Sequence, residues 1–180
     1  MGARRARLGL IGLSMVLERL KEKFDAEVLE TESVHGEDTV VITREAAPKI
    51  LGALRDDPEF GCEFLLDLTA VDWLTRKPRF DVVYHLRSMS RNFSLRVKVQ
   101  VDGQDAWVPS ATPLWKSADW LERECFDMFG IDFKGHPDLR RILLYDTFVG
   151  HPLRKDYPYQ KRQPVVPEID PILNPIRSSK

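Results

Sequence analysis

Between Phe80 and Val101 the chain carries two runs in which apolar side chains fall on every second residue. Phe80, Val82, Tyr84 and Leu86 alternate with Asp81, Val83, His85 and Arg87; Phe93, Leu95, Val97, Val99 and Val101 alternate with Ser94, Arg96, Lys98 and Gln100. Residues i, i+2 and i+4 share a face only in a β-strand, so the pattern demands two strands, each with one apolar and one largely polar side. The four residues Ser88-Met-Ser-Arg91 between them are a hairpin connection. A sheet built on such a hairpin hides one face and leaves the other wet, as a sheet covered by helices on one side does. The expected class is α+β: an antiparallel or mixed sheet with helices packed on one face, followed by an extended proline-rich C-terminal tail.

The flanking segments fit that class. Met15 opens a compact amphipathic helix, with Leu17, Leu20 and Phe24 on one stripe and Glu18, Arg19, Lys21 and Glu22 elsewhere. Residues 26–34 and 39–43 read as short strands around a His35-Gly-Glu-Asp38 turn. Residues 44–55 read as a helix with Thr43 as N-cap and Pro48 tolerable only near the first turn. Residues 64–71 are an apolar run of strand length. Residues 117–129 read as a helix stopped by Gly130, the residue type best suited to the left-handed position after a helix.

The two ends differ in character from the middle. Arg4, Arg5 and Arg7, followed by the apolar residues 8–17, resemble a signal peptide, but no small-residue cleavage site follows because Glu18-Arg-Leu-Lys-Glu-Lys23 begins at once. The run is about half the roughly 20 residues of a membrane-spanning helix. Residues 1–14 are therefore an N-terminal extension or a mis-called start, with Met15 the favoured first residue. At the other end, six of the twelve prolines fall in the last thirty residues, where no apolar periodicity survives. Such a segment cannot bury enough surface to fold alone. In polyproline geometry it would reach roughly 90 Å at ~3.1 Å per residue, against a radius of gyration of about 15 Å for the domain. The expected organisation is a single domain over residues 15–145 and an extended partner-binding tail over 146–180.

Several chemistries are excluded or disfavoured. A net charge of −1 argues against a strongly basic nucleic-acid binder. Two cysteines, Cys62 and Cys125, lie outside any CxxC spacing, which speaks against a disulfide framework and cannot supply the four ligands of an iron–sulfur cluster. No GxGxxG, P-loop or GxSxG is present. The densest charged stretch, Glu122-Arg-Glu-Cys-Phe-Asp127, leaves two readings open: an acid–base or metal site, or a helix surface salted with weak ion pairs such as Asp119 with Arg123. Spacing favours the second. His136 and His151 sit among arginines that would repel a metal, and Cys125 lies on an apolar stripe with Leu121 and Met128, so hydrogen-bonding histidines and a buried thiol are expected.

The run from Glu122 to Leu143, with ERE, Asp127-Met-Phe-Gly130 and His136-Pro-Asp-Leu-Arg-Arg141, resembles the signature of the respiratory complex I 30 kDa subunit family. Gly150-His-Pro-Leu-Arg-Lys-Asp-Tyr-Pro158 looks like the family's tail motif. Weaker likeness covers Asp67-Leu-Thr-Ala-Val-Asp-Trp73, Phe80-Asp-Val-Val-Tyr-His-Leu86 and Ala118-Asp-Trp-Leu121; residues after Tyr159 depart from the longer aromatic tails of many members. The resemblance implies a peripheral-arm subunit of proton-translocating NADH–quinone oxidoreductase, which passes electrons from NADH through FMN and Fe–S centres to quinone. It implies no catalytic residue and no cofactor in this chain, with FMN, clusters and quinone held by partner subunits. It implies packing on the 49 kDa subunit and neighbouring hydrophilic subunits, no nucleic acid, and a peripheral place on the cytoplasmic face of the bacterial inner membrane, reached only through the complex. The alternative is the equivalent subunit of a membrane-bound hydrogenase or of a relative fed by another donor.

Within that frame the candidate hub, at a partner interface or holding the structure, is Glu122, Arg123, Glu124, Asp127, Gly130, His136, Pro137, Arg140, Arg141, His151, Pro152, Arg154, Lys155 and Asp156. Glu122, Glu124 and Asp127 are expected to pair with Arg140, Arg141 or Arg154 and so fix the direction in which the tail leaves.

Overall fold

The computed structural model describes residues 15–160, 162 and 163. Along them run α1 (residues 15–24), β1 (Val28–Val34), β2 (Glu37–Ile42), α2 (Ala47–Asp56), β3 (Phe64–Asp72), β4 (Phe80–Ser88), β5 (Phe93–Val101), β6 (Trp107–Pro109), α3 (Ala118–Phe129) and β7 (Asp132–Lys134). The alternating runs form β4 and β5, paired antiparallel from Phe80 opposite Val101 to Ser88 opposite Phe93 without a shift. They lie inside a five-stranded sheet of order β1-β2-β5-β4-β3. β2 runs parallel to β5 and the other pairings are antiparallel, so the sheet is mixed.

The apolar set of each strand faces the helices as expected, but the other face is not uniformly wet, since Asp81 and Val83 of β4 and Thr39 and Val41 of β2 are buried there. Phe80, Val82, Tyr84, Leu86 and the odd-numbered residues of β5 are buried with Leu17, Leu20 and Phe24 of α1, Ile50, Leu51 and Leu54 of α2, and Cys125, Met128 and Phe129 of α3. Burying each such Leu, Val or Phe contributes about 1.5–3 kcal/mol. Among the described residues no helix is long and apolar enough to cross a membrane.

Two local expectations are corrected. The β1–β2 connection has only two residues, since Val34 stands opposite Glu37. His35 (φ 53°) and Gly36 (φ 82°) are both left-handed, as the tight hairpin turn matching strand twist requires, so Glu37 and Asp38 belong to the strand. The second helix starts at Ala47 with Ala46 at the N-cap position, not after Thr43. Pro48 then falls in the first turn, where its missing N–H is no loss, and the Thr43 N–H donates instead to the Glu27 carbonyl.

α3 lies along the edge strand β3. Ser117, at the N-cap position, makes no capping bond to its own helix; its hydroxyl donates to the Leu65 carbonyl (3.2 Å), and the Cys125 thiol donates to the Leu68 carbonyl (3.7 Å). A helix that takes the carbonyls of an edge strand keeps that edge from pairing with another chain. The short parallel pair β6–β7, which has no sequence signal of its own, brings Trp107–Pro109 beside Asp132–Lys134 just after α3.

Candidate functional site: the end of α3 and the strap across it

The residues of the signature converge where α3 ends and residues 138–157 cross it as a strap. Asp127 is fully buried. Its Oδ2 accepts three successive backbone N–H groups, Ile142 (3.1 Å), Leu143 (2.9 Å) and Leu144 (2.8 Å), and its Oδ1 accepts Arg141 Nη1 (2.6 Å). Burial works to raise the Asp127 pKa, but these four donors outweigh it and hold the group below its ordinary value. A carboxylate saturated in this way organises a loop.

The helix terminus is tied just as closely. The Asp127 carbonyl accepts His151 Nδ1–H (2.9 Å), and the Met128 carbonyl accepts the Leu153 N–H (3.1 Å). Burial lowers the His151 pKa, so the ring is neutral near pH 7. Gly130 ends the helix in the left-handed region (φ 68°). The Arg154 guanidinium bonds the carbonyls of Phe129 and Gly130, a cation placed where the helix dipole is negative. A Cβ on Gly130 would stand 2.5 Å from His151 Nε2 and 2.8 Å from Arg154 Nη2, so only glycine admits this closure.

A third tie joins the strap to the sheet. Asp72, at the end of β3, accepts Arg79 Nε (2.8 Å) and Nη2 (2.7 Å), the Leu74 N–H (2.8 Å) and the Lys155 N–H (2.8 Å). The Arg79 side chain, foremost, holds the Asp72 carboxyl well below the usual carboxylate range. Arg79 also reaches Asp156 (2.9 Å). Sequence reasoning missed this clamp; the faint signal was Asp72 in the Ala-Val-Asp-Trp stretch and Arg79 just before the alternating run.

The remaining hub residues divide. His136 is buried at its side chain; the Asp138 N–H donates to its Nδ1 (3.0 Å), which leaves Nε2–H to donate to the Asp119 carbonyl (3.1 Å). Arg123 donates to the carbonyls of Arg140 (3.2 Å) and Arg141 (3.3 Å) rather than pairing with Asp119. The expected pairing holds for Asp127 with Arg141 alone. Arg154 goes to carbonyls, Arg140 pairs only with Asp138 at the surface (2.9 Å), and Glu124 and Pro137 are exposed, Glu124 without an ion pair among the described residues. Pro152 is half-buried and Lys155 contributes its backbone N–H.

Glu122 turns inward. It is fully buried and accepts Ser110 Oγ (2.7 Å) and the Ala111 N–H (2.6 Å) in place of any arginine. Its position explains why: Ala118, Glu122, Cys125 and Phe129 recur at helical spacing on the core-facing stripe, whereas Asp127 lies on the opposite side, under the strap. Burial pushes the Glu122 carboxyl up to about 7, against the pull of the Ser110 and Ala111 donors and with the Asp119 charge adding to the rise.

The segment expected as an extended partner-binding tail, 146–180, is fastened to the domain as far as residue 157. Gly150, His151, Leu153, Arg154, Lys155 and Asp156 all bond back to the domain, and Phe148 stacks on Tyr157. Isolated bonds from single side chains and backbone groups, which have no period, do this work, so periodicity could not reveal it. Residues 164–180 and the proposed start at residues 1–14 lie outside the described residues. Leu143 (62% exposed), Val149 and Leu153 of the strap are exposed, as are Tyr159 (90%) after it and Trp120 of α3.

Among the described residues no group of three or more His, Cys, Asp or Glu is arranged to hold a metal ion. Both thiols are buried, and burial pushes Cys62 up to about 12 and raises Cys125, which leaves neither as a ready thiolate.

Comparison with known proteins agrees with this geometry. The family model for the respiratory-chain NADH dehydrogenase 30 kDa subunit matches residues 40–163. The corresponding NADH-quinone oxidoreductase subunit of Citrifermentans bemidjiense is 52% identical over 79% of this chain and 87% of its own length. Its counterpart in Agrobacterium fabrum is 48% identical over 77% of this chain and 69% of its own. The solved trypsin-resistant fragment of Nqo5 superposes with a TM-score of 0.62 at 36% identity, covering 71% of this chain and 99% of the fragment. A chain of the membrane-bound sulfane sulfur reductase, an archaeal respiratory membrane complex, superposes with a TM-score of 0.65 at 20% identity over 82% of this chain and 86% of that one, a likeness of fold alone. The match spans α2, the strands from β3 to β7, α3 and the whole strap, and the chain belongs to the family of the respiratory-chain NADH dehydrogenase 30 kDa subunit.

Proposed function

We propose that this chain is a non-catalytic peripheral subunit of the proton-translocating NADH–quinone oxidoreductase, where it scaffolds the subunits of the quinone module. FMN, Fe–S clusters and quinone belong to its partners, among them the 49 kDa subunit, and it meets the cytoplasmic face of the bacterial membrane only through the complex. The observation that carries this reading is the saturation of the hub: Asp127 and Asp72 spend their oxygens on fixed donors, and the strap they hold carries the exposed Leu143, Val149 and Leu153. Such a site grips rather than reacts.

Arg140 gives the sharpest test, because its side chain is exposed and its only ion pair among the described residues is a surface one worth well under ~1 kcal/mol. Arg140→Ala is expected to fold normally and to lower the yield of assembled complex severalfold, while each assembled complex keeps its NADH–quinone turnover. Gentle-detergent purification with partner identification and an activity assay measures both. Normal assembly with collapsed quinone reduction would refute the scaffold reading. Recovery of hydrogenase partners in place of NADH and flavin modules would assign the chain to a relative fed by another donor instead.

A further inference from the structure

Asp38, near the start of β2, is 2% exposed, yet among the described residues neither of its carboxyl oxygens has a hydrogen-bond partner. It shares the helix-facing side of the sheet with Val40 and Ile42 and stands beside Leu95 of β5. There it lines a cleft of about 1280 Å³ at the open end of the core, between the start of α1, the β1–β2 turn, residues 59 and 60, and the β4–β5 hairpin. Phe60, Leu86, Phe93 and Leu95 give this cleft apolar walls. Every arginine that lines it is engaged away from Asp38. Arg19 pairs with Glu59 and Arg96 with Glu37 (2.6 Å). Arg87 donates to Asn92 (2.6 Å) and Ser94 (3.1 Å), and Arg91 to the Pro58 carbonyl (2.9 Å). Among the described residues the cleft therefore holds a buried acid with no donor, Asp38, and an exposed arginine with no acid, Arg91.

We propose that this cleft is a docking site for a segment of a partner subunit that brings a basic side chain to Asp38 and an acidic one to Arg91 on an otherwise apolar stretch. A buried acceptor without a donor destabilises the isolated chain, and a hydrogen-bonded cation offsets that cost on docking. A metal ion does not fit, because the described residues supply no set of ligands for one. The volume exceeds what a drug-sized molecule fills and suits several residues of peptide. Residues 1–14, the segment before Met15 at the edge of the cleft, carry three arginines and no acid, so they complement Asp38 but not Arg91. The inference rests on the subunit reading for the source of the segment and on the cleft for its chemistry. It also adds a second point of grip. The strap is tied to Asp72, opposite Phe80, whereas the cleft lies at the Leu86 end of the same strand, about 20 Å away at ~3.3 Å per residue.

The test compares the isolated 180-residue chain with the complex recovered in gentle detergent, for the unaltered chain, Asp38→Asn, Asp38→Leu and Arg91→Glu. In the isolated chain Asp38→Leu is expected to raise the urea midpoint by about 1 M, because an apolar side chain replaces an unsatisfied one. Asp38→Asn keeps the shape and is expected to hold or raise the midpoint. In the complex both Asp38 variants and Arg91→Glu are expected to lower the yield of partner subunits severalfold, at unchanged turnover per assembled complex. A side chain that weakens the free chain and is needed for assembly is a docking group; a packing role would move both readouts the same way. A midpoint lowered in Asp38→Asn overturns the proposal, since the chain itself would then supply the donor, from Arg4, Arg5 or Arg7 or from the residues after 163. An unchanged yield of partners in the Asp38 variants, or in Arg91→Glu, overturns it as well. An unaltered chain recovered without partner subunits refutes the subunit reading and this site with it, whereas a normal complex indifferent to Asp38 refutes the docking site alone.

Discussion

A carboxylate inside a protein persists only where donors replace the water it has lost, and two acids of one helix meet that requirement in opposite ways. Asp127 has four donors, one of them a cation; Glu122 has two, both neutral. Asp127→Asn is expected to leave Arg141 partly buried without its charge partner and to cost about 3–5 kcal/mol of unfolding free energy in denaturant titration. Gly130→Ala, where a Cβ meets His151 and Arg154 and φ is +68°, should cost roughly 2–4 kcal/mol. Gly36→Ala, at φ +82° with open space around the added Cβ, should cost only about 1–2 kcal/mol. Comparing the two separates backbone strain from collision. The sequence announced that these acids mattered but not which way each faced. The inward direction of Glu122 was legible from its spacing to Ala118, Cys125 and Phe129; the burial of Asp127 was not, because a strap with no repeat of its own covers it.

At the scale of elements, the alternating hairpin was readable to within a residue at both ends, since period-2 patterning and a polar connection admit little else. Helix α3 and its glycine stop were readable for the same kind of reason. The strap and the Asp72–Arg79 clamp were not, because each depends on one side chain finding backbone groups far along the chain, as Asp72 finds the Lys155 N–H. Ser117 illustrates the limit: its place before a helix suggests a cap, yet its hydroxyl serves the edge strand β3. Ser117→Ala is expected to cost about 1 kcal/mol and to shift the urea midpoint without changing the slope. A change of slope would mean that the edge strand itself had come loose.

For the molecule as a whole, these groups set opposed limits on stability. Asp72 and Asp127 have folded-state pKa values below the ordinary 3.8, so the unfolded chain takes up protons first as the pH falls. Their stabilisation is complete above the ordinary value and is lost as acid passes through the depressed ones. Glu122 is raised from 4.5 to about 7, so its contribution is complete below the lower value and is lost as the pH rises through the higher. Urea midpoints measured across pH should therefore peak between 3.8 and 4.5, with a decline of roughly 3 kcal/mol above that range that Glu122→Gln abolishes. Asp72→Asn should instead flatten the acid side.

Because the residues from Arg141 to Tyr157 are fastened before any neighbour arrives, the exposed Leu143, Val149 and Leu153 are already held in place. A docking partner then immobilises little that was free, and the entropy that a loose arm would forfeit on capture has already been settled during folding. Association should accordingly be fast and weakly temperature-dependent, closer to the meeting of two rigid bodies than to a chain condensing onto its host.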